Sequence, residues 1–181
     1  DLPNRVLYKI GQIVSVEKHP DADSLYVEKV NMGSEEPVTV VSGLAGLFPM
    51  EKLKDRFAIF VCNLKPAKMR GILSEAMLLC ASHTTDDGKK IVHPLDLPAS
   101  MKNSKCIGER LIFKEPSQPY DVVNMALPDK QLNAKVWDSV GEGLALGSDL
   151  KVQFDKRLIL SCPNGEEIIG NSELPTGSKV K

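Results

Sequence analysis

The sequence predicts a mainly β fold: a small barrel of five strands with one short helix, followed by an α+β extension packed on it. Three observations carry the prediction. Strand-length apolar or alternating runs recur through residues 6–82, separated by Gly, Pro, Asp and Ser. The longest run is interrupted by Gly11, and a glycine inside a strand marks a bulge or a sharp bend at a barrel corner. Beyond Lys114-Glu-Pro-Ser-Gln-Pro119, an internal boundary with two prolines, the pattern changes to a helix and short strands.

In order, residues 6–19 form the long first strand. His19-Pro-Asp-Ala-Asp-Ser24 turns the chain, with Pro20 fixing φ and Asp21 and Asp23 bonding back to nearby amides. A calcium loop there is excluded, because Tyr26 and Met32 stand where glycine and glutamate are required. Leu25–Met32 and Val38–Ser42 are the second and third strands, and Met50–Asp55 is the short helix. Phe57–Cys62 is the fourth strand and Ser74–Ser82 the fifth. Gly43 to Pro49 is no nucleotide loop, since Gly-Lys-Ser/Thr and a βαβ frame are missing. Five strands with a helix between the third and fourth and a bent first strand are the order of an OB-fold barrel. His83–Gly88 reads as a polar loop, Pro94–Lys105 as a Pro/Ser/Lys-rich one, and Gly108–Phe113 as a last short strand.

In the extension, Pro128–Val140 reads as a helix with Leu132, Val136, Trp137 and Val140 on one face. Lys151–Phe154, Arg157–Cys162 and Glu166–Gly170 read as strands, with Asn164-Gly165 as a hairpin signal. Residues 114–181 are too few to bury an adequate core alone and are expected to pack on the barrel, residues 1–113.

Composition narrows the function. No apolar run reaches the roughly 18–20 residues that span a membrane. The start, Asp1-Leu-Pro-Asn-Arg5, reads as a cut from a longer chain. The cysteines (Cys62, Cys80, Cys106, Cys162) form no C-x-x-C pair and read as buried thiols of a reducing, cytoplasmic compartment. His19, His83 and His93 lack zinc-ligand spacing with them, so neither a metal nor another cofactor is expected. A Cys80–histidine nucleophile is disfavoured because Cys80 ends an apolar strand. The net charge of −1 argues against coating a polyanion by bulk charge, yet Lys52 to Arg70 holds six basic residues against one acidic. At 5% aromatics the chain lacks the aromatic interleaving of a single-strand nucleic-acid binder.

Four blocks then stand out: His19-Pro-Asp-Ala-Asp-Ser-Leu-Tyr26, Thr39-Val-Val-Ser-Gly-Leu44, Cys62-Asn-Leu-Lys-Pro-Ala-Lys-Met-Arg-Gly71 and Ser74-Glu-Ala-Met-Leu-Leu-Cys-Ala81. Together they resemble the endothelial monocyte-activating polypeptide II-like tRNA-binding domain, appended to eukaryotic tyrosyl-, methionyl- and other aminoacyl-tRNA synthetases and their assembly cofactors. The resemblance covers residues 6–113 and extends more weakly over 114–181. It implies a non-catalytic module that binds tRNA by shape and backbone and delivers it, in cis or in trans, to a synthetase. It also implies an extension that imitates the second subunit of a dimer, and hence a monomer. The rivals are a protein-interaction or assembly module and a released cytokine-like fragment. The segment matching the family's cytokine heptapeptide is Lys9-Ile-Gly-Gln-Ile-Val-Ser15, with Gln12 where a basic residue is common. Of a family lysine triplet, Asn133-Ala-Lys-Val136 keeps only Lys135, and the 94–108 loop is longer than usual.

Lys65, Lys68 and Arg70 are the first candidates for phosphate contacts. Ser74 and Met77 match family positions implicated in tRNA contact; the alternative for Met77 is core packing. Asn63 reads as an RNA contact or a strand-end cap. Lys9 and Lys18 extend the patch. Lys52, Lys54 and Arg56 read rather as a solvated helix face. Trp137 reads as the anchor of the C-terminal helix.

Overall fold

The structure is a computed structural model that describes residues 2–121 and 127–181. It is mainly β, and every strand pairing among the described residues is antiparallel.

The long first strand is β1 (Tyr8–Lys18), followed by β2 (Tyr26–Asn31) and β3 (Val38–Ser42) in a meander. Met50–Lys52 is a single 3₁₀ turn, shorter than the Met50–Asp55 helix expected. β4 (Phe57–Val61) lies on the other edge of β1. Gly11 works through close approach: a Cβ there would lie 2.4 Å from Met32 Sδ and 2.9 Å from Val30 Cγ1. The bulge itself comes between Ile13 and Ser15.

The expected fifth strand, Ser74–Ser82, is not continuous. A hairpin of β5 (Ala67–Met69) and β6 (Ile72–Ser74) precedes β7 (Met77–Leu78), which pairs β4. β8 (Cys80–Thr84) then changes partner to β9 (Lys90–Pro94), so the polar stretch at 83–88 is largely a hairpin end. Two 3₁₀ turns fold the 94–108 loop before β10 (Arg110–Lys114) returns to β1.

The helix α1 (Ala134–Gly143) starts later than Pro128 predicts. Asn133 is its N-cap, its side chain accepting from the Lys135 amide. Trp137 and Val140 point into the core. β11 (Leu144–Leu146), β12 (Val152–Phe154) and β13 (Leu158–Ser161) follow, and β13 pairs β10. Glu166–Gly170 makes two isolated bridges, Ser161–Glu167 and Lys151–Ile169, instead of a strand. Gly165, at φ +90°, closes a three-residue hairpin loop, with the Cys162 amide donating to the Glu166 carbonyl at 2.8 Å. β14 (Lys179–Val180) is inserted between β8 and β11.

Two cores result. One packs Ile13, Tyr26, Val30, Val40, Leu53 and Phe60 inside the first sheet. The other joins Tyr8, Leu79 and Phe113 to Trp137, Leu146 and Leu160, so the extension shares its apolar interior with the first part of the chain. Asn63 rivets the same junction: its Nδ2 donates to the carbonyls of Arg5 and Asp129 at 2.9 Å each, and its Oδ1 accepts from the Leu7 amide.

Candidate nucleic-acid interface

The basic stretch after β4 is a hairpin, not a plain loop. β5 and β6 pair only with each other, and Arg70 (φ +50°) and Gly71 (φ +90°) form the two-residue turn. Positive φ at both positions matches the right-handed twist of a tight hairpin; glycine adopts it freely and arginine at a cost. Arg70 Nη2 donates to the Asp21 carbonyl at 3.1 Å. The hairpin has no ladder to the main sheet, so side chains must hold it. Ser74 Oγ accepts from the Val41 amide and donates to the Ala76 carbonyl, both at 2.9 Å. Glu75 exchanges bonds with Thr39, its carboxylate accepting at 2.7 Å and its amide donating at 2.8 Å. His19 Nε2 lies 3.0 Å from the Met69 carbonyl.

Lys68 on β5 and Arg70 in the turn are exposed on the hairpin, and Lys65, also exposed, lies two residues before it on the groove side. Lys18, also exposed, ends β1 immediately before the buried His19 that braces this hairpin. Lys9 stands roughly 30 Å farther back along β1 at strand rise; it is half-buried, opposite Phe60 and Arg110. Asn63 and Ser74 are both buried: of the two readings of Asn63 its backbone bonds fit the strand-end cap and not an RNA contact, and the Ser74 hydroxyl is committed to Val41 and Ala76, although the residue lines the neighbouring groove. Arg56 also leaves the basic group, stacking over Phe48 and donating to the Pro94 carbonyl.

Beside the hairpin lies a groove of about 390 Å³. Leu44, Leu64, Met69 and Met77 give it an apolar lining. Three exposed lysines share it: Lys65, Lys90 and Lys181. Met77 is half-buried there, packed on the core and open to the groove at once. Under the groove, Ser42 donates to the buried Glu28 carboxyl at 2.8 Å, and burial pushes that carboxyl up to about 8. His19, Lys90 and Lys181 were missed in the sequence. His19 had a signal, its place in the first motif block; Lys181 had none, because β14 reaches the groove by long-range pairing.

Burial pushes the Cys62, Cys80 and Cys162 thiols up to about 12, far from a reactive thiolate. His93 faces Glu173 and the Phe48 ring instead of a cysteine. Among the described residues no group of three His, Cys, Asp or Glu could hold a metal ion, and no helix is long and apolar enough to cross a membrane.

Residues 8–105, more than half of the chain, match the family model described as "Putative tRNA binding domain". The chain is 43% identical over 162 residues to the cytoplasmic tyrosine–tRNA ligase of Gallus gallus, covering 88% of this chain and 28% of that protein. It is 42% identical over 140 residues to aminoacyl tRNA synthase complex-interacting multifunctional protein 1 of Cricetulus griseus, covering 76% and 34%. The chain thus spans about a third or less of these relatives. The crystal structure of the C-terminal domain of Plasmodium vivax p43 superposes with a TM-score of 0.80 at 26% identity, over 98% of both chains. The chain belongs to the family of that tRNA-binding domain.

Proposed function

We propose that this chain is a low-specificity module for structured tRNA that acts in the cytoplasm and delivers tRNA, in cis or in trans, to an aminoacyl-tRNA synthetase. The observation that carries it is the braced hairpin with Lys68 and Arg70 exposed on it and Lys65 exposed on its approach. Cations held on a rigid support suit phosphates, which fix position without reading sequence. Met77 is the adaptable apolar contact beside them, and Lys18 extends the patch. In this reading residues 1–113 are an OB-type barrel whose oligonucleotide-binding side carries the hairpin. Residues 114–181 occupy the place of a second subunit, which favours a monomer; the shared core and the Asn63 rivet support that. Raising local tRNA concentration near a fused or associated synthetase then needs no base readout.

Titration with unfractionated tRNA at rising salt tests the reading. Affinity should fall steeply and log-linearly with salt. Absent binding at low salt, or binding flat across the range, refutes it and favours an assembly module.

A further inference from the structure

The groove beside the hairpin has no role in a purely phosphate-gripping surface. We infer that it is a pocket for one unpaired nucleoside of the bound RNA; this rests on the tRNA-binding reading above. Its volume of about 390 Å³ exceeds what one base with its ribose requires. Its walls are Leu44, Leu47 and Leu64 with the thioethers of Met69 and Met77, a surface that fits a base face without demanding its identity.

Charge complements that occupant. Lys65 comes from the hairpin's approach, Lys90 from β9 and Lys181 from the residue after β14, so cations from three parts of the chain converge on one apolar slot. Glu75 also lines the groove, but its carboxylate accepts from the Thr39 amide. Lys181 Nζ lies 3.5 Å from Asp138, with both groups exposed, a pairing that a phosphate readily displaces. Among the described residues every Phe, Tyr and Trp side chain is buried or half-buried, so no exposed ring of these serves as a stacking platform. A looped-out base therefore finds its apolar contact in this groove, while its flanking phosphates reach the lysines. The extension becomes part of the binding site through Lys181.

The test uses three RNA hairpins: one with a single bulged adenosine in its stem, one with an abasic ribose at that position, and one fully paired. The intact chain should bind the bulged RNA about 10-fold tighter than the other two, with similar salt slopes for all three. Ala67→Ile narrows the groove from an exposed β5 position without adding charge or an aromatic ring. It should erase the preference while leaving affinity for the paired RNA unchanged. Equal affinity for bulged and abasic RNA, or a preference that survives Ala67→Ile, overturns the pocket and leaves the groove to an apolar side chain of a protein partner. No binding of any of the three at low salt overturns the RNA reading itself, and the pocket with it.

Discussion

His19 Nε2 donates to the Met69 carbonyl at 3.0 Å. The direction is fixed by the other ring nitrogen, because Nδ1 accepts from the Asp21 amide at 3.0 Å and so carries no proton. One buried imidazole thus closes its own turn and braces a hairpin fifty residues away. Arg70 returns the contact through the Asp21 carbonyl, so the turn and the hairpin hold each other. His19→Ala strands an amide and a carbonyl, at a cost of about 1–3 kcal/mol. The variant should fold, melt earlier, and bind tRNA several-fold more weakly because its cations are no longer held in register. Unchanged affinity in the folded variant would show that the brace is irrelevant to binding.

Replacing Lys65, Lys68 and Arg70 together with Ala should weaken binding of all tRNAs alike. Each lost phosphate contact removes about one unit from the log–log salt slope, so the slope should shrink by about 2–3. Lys65 and Lys68 are exposed and lack protein partners in the described bonds, so the stability lost should be that of the exposed Arg70–Asp21 bond alone, about 0.5–1.5 kcal/mol. A folded triple variant with wild-type slope would place the electrostatic site elsewhere.

What was legible in the sequence and what was not follow from the range of the interactions. The β-branched run at Val38–Ser42 and the apolar run at Phe57–Cys62 are local signals, and strands appear at Val38–Ser42 and Phe57–Val61. The basic sector was legible as charge but not as a hairpin: β5 and β6 have three residues each, too few for a periodicity to show. β11 and β14 escaped for the same reason, and β14 has its partners in β8 and β11, far apart in sequence. Ser74 and Asn63 looked available because polarity is local while their partners are not: Val41 is 33 residues from Ser74, and Asp129 is 66 from Asn63. The helix start moved from Pro128 to Asn133 because the proline-led segment is spent on pairing, with the Leu132 amide donating to the Asn63 carbonyl and Asp129 binding Arg5.

Asn63 is the point at which the extension is fastened. Asn63→Ala leaves the Leu7 amide and the Arg5 and Asp129 carbonyls without their side-chain partner. A loss of about 2–4 kcal/mol is expected in urea unfolding. Affinity for tRNA, measured where the variant is folded, should stay within twofold of wild type. A stable variant with a large affinity loss would return Asn63 to the contact surface.

Glu28 makes stability depend on pH. It is fully buried on β2, with the Ser42 hydroxyl donating to it and, among the described residues, no cation paired with it. Desolvation raises it from an ordinary 4.5 to about 8, against a smaller opposing effect of the Ser42 bond. The folded protein therefore holds a proton that the unfolded chain releases near pH 4.5. The resulting stabilisation is complete below that value and is lost as pH rises towards about 8, by at most about 1.4 kcal/mol per pH unit. Its titratable neighbours do not blur this window: burial raises both the Tyr26 phenol and the Cys80 thiol further from neutrality, the latter to about 12. Glu28→Gln keeps an oxygen to accept from Ser42 and removes the titration. Urea midpoints between pH 5 and 8 should therefore fall in the wild type and stay nearly level in the variant, which becomes the more stable of the two towards pH 8. Parallel curves would mean that Glu28 is ionised in the folded protein and that its charge is met by a group other than Ser42.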